Sequence, residues 1–207
     1  MIAEGQSLRD RQRAQIRADI RRAAFRLFVE RGYDAVTTEE IAAAAGVSPR
    51  TFFRHVPTKE ELLLAPVRHG GAAIVSLLEH RPSSESPDVA LINAIIERTR
   101  SFDEADIEEW CKALLVAPDP LGKLTMVTPA DKERATKLVA ARMGANPETD
   151  IRPGLLVQLA FAAGDYGFRQ WVRQPGNRRP LDRFVTEALE AVKSPHWNRT
   201  RKEKRTS

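Results

Sequence analysis

Histidine, cysteine and clustered carboxylates are the side chains that most often carry catalysis or hold a metal, and in this chain they are scattered. His55, His69, His80 and His196 lie in separate segments, with no pair at the spacing that puts two imidazoles on one metal. The single cysteine, Cys111, follows Trp110 and precedes Leu114 and Leu115, the setting of a packed thiol rather than a nucleophile. One cysteine allows no internal disulfide and no cysteine-rich metal site. The run Asp103-Glu104-Ala105-Asp106-Ile107-Glu108-Glu109 has the composition of an acid–base site. It also opens a helical stretch, where the positive end of the helix favours carboxylates, and that reading accounts for it better. There is no Gly-x-Ser-x-Gly and no phosphate loop. The chain is expected to be no enzyme and to need neither metal nor cofactor.

The chemistry that remains is recognition, and it is concentrated in residues 37–56, Thr-Thr-Glu-Glu-Ile-Ala-Ala-Ala-Ala-Gly-Val-Ser-Pro-Arg-Thr-Phe-Phe-Arg-His-Val. Thr37 and Glu40 have the spacing of a capping box, which starts a short helix from Ile41 to Ala45. Gly46 makes a turn. Ser48 then caps a second short helix, with Pro49 at its first position, where a missing N–H does no harm. Ala42 and Ala45 are small enough for two helices to cross closely, with Ile41, Val47 and Phe52 as the buried contacts. A helix projected in this way can enter the major groove, about 12 Å wide, and offer Pro49, Arg50 and Thr51 to base edges. The amides at Thr38 and Ser48, at helix starts, suit phosphate.

These short helices need a scaffold, and the rest of the chain supplies helices with no convincing alternating strand. Ile16, Ile20, Ala23, Ala24, Leu27 and Phe28 give a first helix its apolar side, and Gly32 can close it in the left-handed conformation. Thr58-Lys59-Glu60-Glu61 reads as a second capping box, opening a long fourth helix toward His80. After the loop Pro82–Pro87, helices are expected at about 88–101, 104–117, 129–143, 151–173 and 181–193, with a short extra turn near 121–126. The breaks are Pro118-Asp119-Pro120, Asn146-Pro147 and Pro175-Gly176-Asn177. Nine or ten helices in an all-α chain result, without internal repeats.

Composition agrees with a globular protein: 42% of the 207 residues are hydrophobic and 29% charged. No run approaches the roughly 20 apolar residues of a bilayer span, and the N-terminus lacks a secretory pattern, so no membrane association and a cytoplasmic location are expected. The formal charge is +5, yet from Lys193 onward stand six basic residues against Glu203 alone. Without that tail, basic and acidic residues are equal in number. Residues 194–207 have almost no apolar content and are expected to be disordered. Residues 1–12 read as a flexible basic arm. Arg9, Arg11 and Arg13 are placed ahead of the first helix, where they reach a minor groove or phosphates, or simply stay solvated.

Residues 13–65 resemble the tetracycline-repressor (TetR) family of transcriptional regulators. The resemblance rests on Leu27-Phe28-Val29-Glu30-Arg31-Gly32-Tyr33, Thr37-Thr38, Ile41-Ala42, Ala45-Gly46-Val47-Ser48 and Thr51-Phe52-Phe53-Arg54-His55-Val56-Pro57-Thr58-Lys59-Glu60. It implies an N-terminal three-helix helix-turn-helix domain over residues 13–58 that binds an operator in double-stranded DNA. A helical domain for ligand binding and homodimerisation would follow over residues 59–193. Thr38, Phe53, His55 and Lys59 would face the phosphate backbone, and Arg50 and Thr51 the bases, with Ser48, Pro49 and Arg54 completing the DNA-binding set. Two positions depart from the family pattern. Phe53 stands where tyrosine is common, so a hydroxyl donor to phosphate is missing, and Val56 stands where phenylalanine is frequent.

The same resemblance implies a dimer interface from the last two helices of each subunit. Here those helices offer Leu155 and Leu159, then Phe184, Ala188, Leu189 and Val192, and the first of them is apolar nearly all round. It also implies a small-molecule effector in a cavity among the middle helices, with Trp110, Leu114, Met126, Phe161, Asp165 and Phe168 as candidate lining. Asp165 either anchors a ligand donor or pairs with Arg169, one turn on. The Asp150-Ile-Arg-Pro-Gly-Leu-Leu segment and Arg169-Gln-Trp171 look like regulators of acyl-CoA-like molecules. Within the class, the chain is a repressor released by its ligand, or an activator, or a regulator that needs its ligand to bind. From other classes, a helical enzyme or a structural dimer with a helix-turn-helix that never touches DNA remains open.

Overall fold

The computed structural model describes residues 8–102, 104–118, 122, 126–174 and 179–193. Among them stand ten helices: α1 (Leu8–Arg31), α2 (Thr38–Ala44), α3 (Pro49–His55), α4 (Lys59–Arg68), α5 (Gly70–Glu79), α6 (Pro87–Arg100), α7 (Glu104–Leu115), α8 (Pro129–Met143), α9 (Arg152–Val172) and α10 (Leu181–Lys193). No strand occurs among the described residues. The helices fall into two compact units, one made of Met1–Gly70 with Asp103–Met126 and the other of Gly71–Phe102 with Val127–Ser207.

In the first unit α1 carries the core. Ile20, Ala23, Ala24, Phe25 and Phe28 are buried along it, while Leu27, expected among them, is only half-buried. The buried face of α1 is centred on Ala24 and takes in Phe25 beside it. α2 and α3 pack on α1 through Ile41, Ala42 and Phe52, all fully buried. α7 lies against α1 and α4. Its Trp110 is buried and donates its indole N–H to the Leu63 carbonyl at 2.7 Å. Cys111, also buried, is an ordinary packing residue: burial raises its thiol to about 12, with the Glu108 charge adding to the effect. A thiol held that high is protonated and unreactive.

Three expectations need correction here. The first helix starts at Leu8, so Arg9, Arg11 and Arg13 stand on α1 itself rather than on an arm ahead of it. The long fourth helix is two helices, with His69 between them. Pro66 lacks an amide and crowds the preceding turn, and Gly70-Gly71 follows, which together favour a break. At the start of α4 the Thr58 hydroxyl accepts from the Glu61 amide, but the Glu61 carboxylate reaches Arg68 at 2.5 Å instead of completing a capping box. Pro49–Glu79 contains a window apolar enough to pass for a membrane span by composition. That stretch is α3, α4 and α5, interrupted at Val56 and His69.

In the second unit α9 is the central rod, packed against α6, α8 and α10. Val157, Phe161, Phe168 and Val172 face its core with Leu91, Val139, Val185 and Leu189 from the neighbours. α9 and α10 approach so closely at Gly167 that a Cβ there would stand 2.9 Å from the Phe184 carbonyl oxygen and 3.0 Å from the Val185 Cα. Only glycine fits that crossing. The open carbonyls at the end of α5 are met by Arg142 of α8, whose guanidinium donates to the carbonyls of Leu78, Arg81 and Pro82. Arg81 pairs with Glu85 and Glu97, which fixes the Pro82–Ser86 loop before α6.

Candidate nucleic-acid interface

The geometry of residues 37–56 follows from three local devices. At the start of α2 the Glu40 amide donates to the Thr37 hydroxyl, and the Thr37 amide donates to the Glu40 carboxylate at 2.8 Å. The Thr37 amide, with Arg31 at 2.8 Å and the Thr37 hydroxyl, holds the Glu40 carboxyl down at about 2. At the end of α2, Gly46 takes φ 69. Its amide donates to Ala43 and that of Val47 to Ala42, the paired bonds of a Schellman turn, which need a left-handed residue at the glycine position. At the start of α3 the Ser48 hydroxyl accepts from the Thr51 amide at 3.2 Å and donates to the Thr51 hydroxyl at 3.0 Å.

These devices aim α3. Phe52 is buried and fixes the helix to the unit, while Ser48, Pro49, Arg50, Phe53 and Arg54 are exposed and Thr51 and His55 half-buried. The Phe53 ring stands edge-on to Phe52, ring centres 5.4 Å apart, and is half open to solvent. Arg50 and Arg54, four apart, share one face of the helix. Val47 and Ala45, expected in the crossing, are half-buried only; Ile41, Ala42 and Phe52 carry the contact. Val56 is 5% exposed, so the smaller residue at this position still closes the core behind α3.

Thr38, at the first turn of α2, is half-buried and donates its hydroxyl to Glu39. Lys59 has an internal task. Its ammonium donates to the carbonyls of Tyr33 at 2.7 Å and Val36 at 3.0 Å and lies 4.2 Å from the centre of the Tyr33 ring. Two of its three donors thus hold the α1–α2 connection, a role the spacing of the motif did not reveal.

Arginine on α1 was also underestimated. The helix holds eight arginines against three carboxylates. Arg9, Arg13 and Arg17, together with Gln12 and Ile16, line an open cleft of about 570 Å³ whose other wall is Arg54 and His55 of α3. The His55 imidazole is pushed below its usual value by burial and by the charges of Arg54, Arg17 and Arg13. The recurrence of arginine every fourth residue was present in the sequence, hidden by a body whose total charge cancels.

The remaining candidates fall into both units. Trp110 and Leu114 are buried in the first, and Met126, also there, is half-buried. Phe161 and Phe168 are buried in the second, and neither unit holds all six of the proposed lining residues. Asp165 is paired with Arg169 at 2.6 Å. Of the interface candidates, Leu155 and Leu159 are exposed on α9, and Phe184, Ala188 and Val192 are half-buried on α10. Leu189 is 2% exposed: it belongs to the protomer's own core, because α10 turns that residue toward α9 and α6. Residues 194–207, the basic tail, and residues 1–7 lie outside the described residues. So does most of the turn expected near 121–126.

Residues 20–65 match the bacterial regulatory proteins of the tetR family. Over nearly its whole length the chain is similar to the HTH-type transcriptional regulator TcmR of Streptomyces glaucescens, 33% identical over 201 residues that cover 91% of this chain and 88% of the relative. It is 39% identical to the HTH-type transcriptional repressor Rv3405c of Mycobacterium tuberculosis, over 193 residues covering 89% of this chain and 92% of that one. In fold it is similar to NalD of Pseudomonas aeruginosa, the secondary repressor of the MexAB-OprM multidrug efflux pump, with a TM-score of 0.58 at 23% identity over 86% of this chain and 96% of that one. With a capped, exposed α3 set by a glycine turn against α2, and with relatives that match it over 89% and 91% of its length, the chain belongs to the TetR family of bacterial regulatory proteins, DNA-binding transcriptional regulators with an N-terminal helix-turn-helix.

Proposed function

We propose that this regulator is a cytoplasmic homodimeric repressor that reads an operator through α3 and leaves it when a small amphiphilic or acyl-type effector binds. The observation that carries the DNA reading is the exposure of Pro49, Arg50 and Arg54 on a helix whose opposite side is anchored by the fully buried Phe52. Arg50, in the first turn, is the residue with the reach and the fork of donors to recognise a guanine edge. Repression rather than activation is supported by the repressor at 39% identity. A relative named as an activator, FasR of Mycolicibacterium smegmatis, is 26% identical.

Dimerisation is supported by α9. Ile151, Leu155, Leu159 and Tyr166 are 79%, 52%, 45% and 62% exposed in the protomer and recur along one side of the helix. An apolar stripe of that length on a protomer surface marks an interaction site. The effector reading rests on the second unit alone, where the apolar α9 carries the half-buried Asp165–Arg169 pair beside the buried Phe161 and Phe168, a mixture of walls and polar anchors that suits an amphiphile.

A competition titration tests the DNA reading. Labelled duplex from upstream of the protein's own coding sequence is titrated with wild type and with Arg50→Ala against an excess of random duplex. Wild type should prefer the upstream duplex, and Arg50→Ala should lose about 1–3 kcal/mol of that preference. Equal preference in both proteins would remove Arg50 from base readout.

A further inference from the structure

We propose that the arginine-lined cleft between α1 and α3 is a clamp for the DNA backbone, taking the phosphates of one strand that flank the bases facing α3. This rests on the DNA-binding reading above and extends the contact surface from α3 to the first half of α1.

Three features carry it. Arg9, Arg13 and Arg17 are exposed and four residues apart, so their attachment points follow one another at about 6 Å along α1. Arg54 and His55 form the facing wall from α3, and no carboxylate lines the cleft. Among the described residues none of Arg9, Arg13, Arg17 or Arg54 has an ion-pair partner, whereas Arg22 and Arg31 of the same helix pair with Asp19 and Glu40. Four uncompensated guanidinium groups around one cleft repel one another, and an anion relieves that repulsion. Burial lowers the basicity of His55 most, and the charges of Arg54, Arg17 and Arg13 lower it further.

The form of the cleft points to a polyanion and not to a small free anion. Its cations make a row about 12 Å long on α1, with solvent-exposed heads and no buried donor to enclose a single phosphate. A row of cations fits a row of phosphates. Arg54 also stands one turn beyond Arg50, so the cleft adjoins the helix that faces the groove. Contacts of this kind position the protein and add affinity without reading sequence.

The test uses the full chain as wild type, as the double variant Arg13→Ala/Arg17→Ala, and as Arg13→Lys/Arg17→Lys. Affinity for a selected operator and for random duplex is measured over a series of salt concentrations. Two lost phosphate contacts should flatten the slope of log K against log salt by about 1–2. The alanine variant should weaken on both duplexes by the same factor, leaving the ratio between them unchanged, and the lysine variant should keep most of the slope. An alanine variant with the wild-type slope and affinity would overturn the clamp, as would a loss confined to the operator. Calorimetry with inorganic phosphate at fixed ionic strength separates the other source. Binding by wild type but not by the alanine variant, with DNA affinity unchanged, would make the cleft a small-anion site and refute the clamp. A wild type that binds no duplex at all would remove the DNA reading, and the clamp with it.

Discussion

His55 is the one group in the α1–α3 cleft whose charge can change near neutral pH. Burial first, then Arg54, Arg17 and Arg13, lower its proton affinity. The carboxylates of the adjoining α2 are engaged elsewhere, Glu39 with Thr38 and Glu40 with Thr37 and Arg31. The sign for stability follows from linkage. The folded state favours the neutral ring, so its contribution is complete above the unfolded value of about 6.5 and is lost as pH falls through the lower folded value. DNA binding has the opposite sense. Phosphates brought to the cleft favour the charged ring, so the complex takes up a proton and binds more tightly as pH is lowered from 7.5 to 6. Each unit by which DNA raises the ring's pKa is linked to about 1.4 kcal/mol, or tenfold in affinity. Titration of wild type and His55→Gln across that range should show the pH-dependent part shrinking in the variant. Equal pH profiles would mean that no phosphate comes near the ring.

Helices were the legible elements, because capping residues and breakers announce their ends. Ser48-Pro49 and Thr128-Pro129 start α3 and α8, and Gly46 and Gly144 take φ 69 and 63 where α2 and α8 end. The break at His69 was harder to see, since apolar residues stand on both sides of it, at Leu62–Val67 and Ala72–Val75, with Pro66 inside the first stretch and Arg68-His69 and Gly70-Gly71 between the two. Facing was less legible still. α9 is apolar nearly all round, so its sequence does not say which apolar residues stay inside. The structure divides them, with Val157, Phe161 and Phe168 in the core and Leu155, Leu159 and Tyr166 outside. Leu189, expected in the dimer interface as part of the α10 stripe, is buried within the protomer. If the exposed stripe is the dimer seam, Leu159→Lys should bury a charge there at a cost of several kcal/mol while leaving the protomer core untouched. Sedimentation at micromolar concentration should show a wild-type dimer and a mostly monomeric variant. A variant as dimeric as the wild type would place the interface elsewhere, and a monomeric wild type would end the dimer reading.

Over the whole molecule the formal charge misleads in an instructive way. Outside the tail the chain is neutral in total, yet α1 alone carries eight arginines against three carboxylates. Total charge averages out the polarity on which recognition of a polyanion depends, and only the placement of residues restores it. The helix-turn-helix was legible because its parts are local: a cap, a glycine turn and one buried aromatic lie within twenty residues. The clamp was not, because Arg54 and Arg13 are far apart in sequence and meet only through the packing of α3 on α1. Lys59 sits in the recognised motif and still holds backbone carbonyls of the α1–α2 connection, so motif membership alone did not give its role. Sequence-specific DNA binding by a twofold-symmetric protein is the central claim, and in vitro selection from a random duplex library tests it most directly. Several rounds with the full-length wild type should enrich an inverted repeat, because two copies of α3 related by a twofold axis read the same bases on opposite strands. A library that stays random, or one that enriches a sequence bound equally well by a protein whose α3 face is replaced by alanine at Arg50 and Thr51, would contradict it.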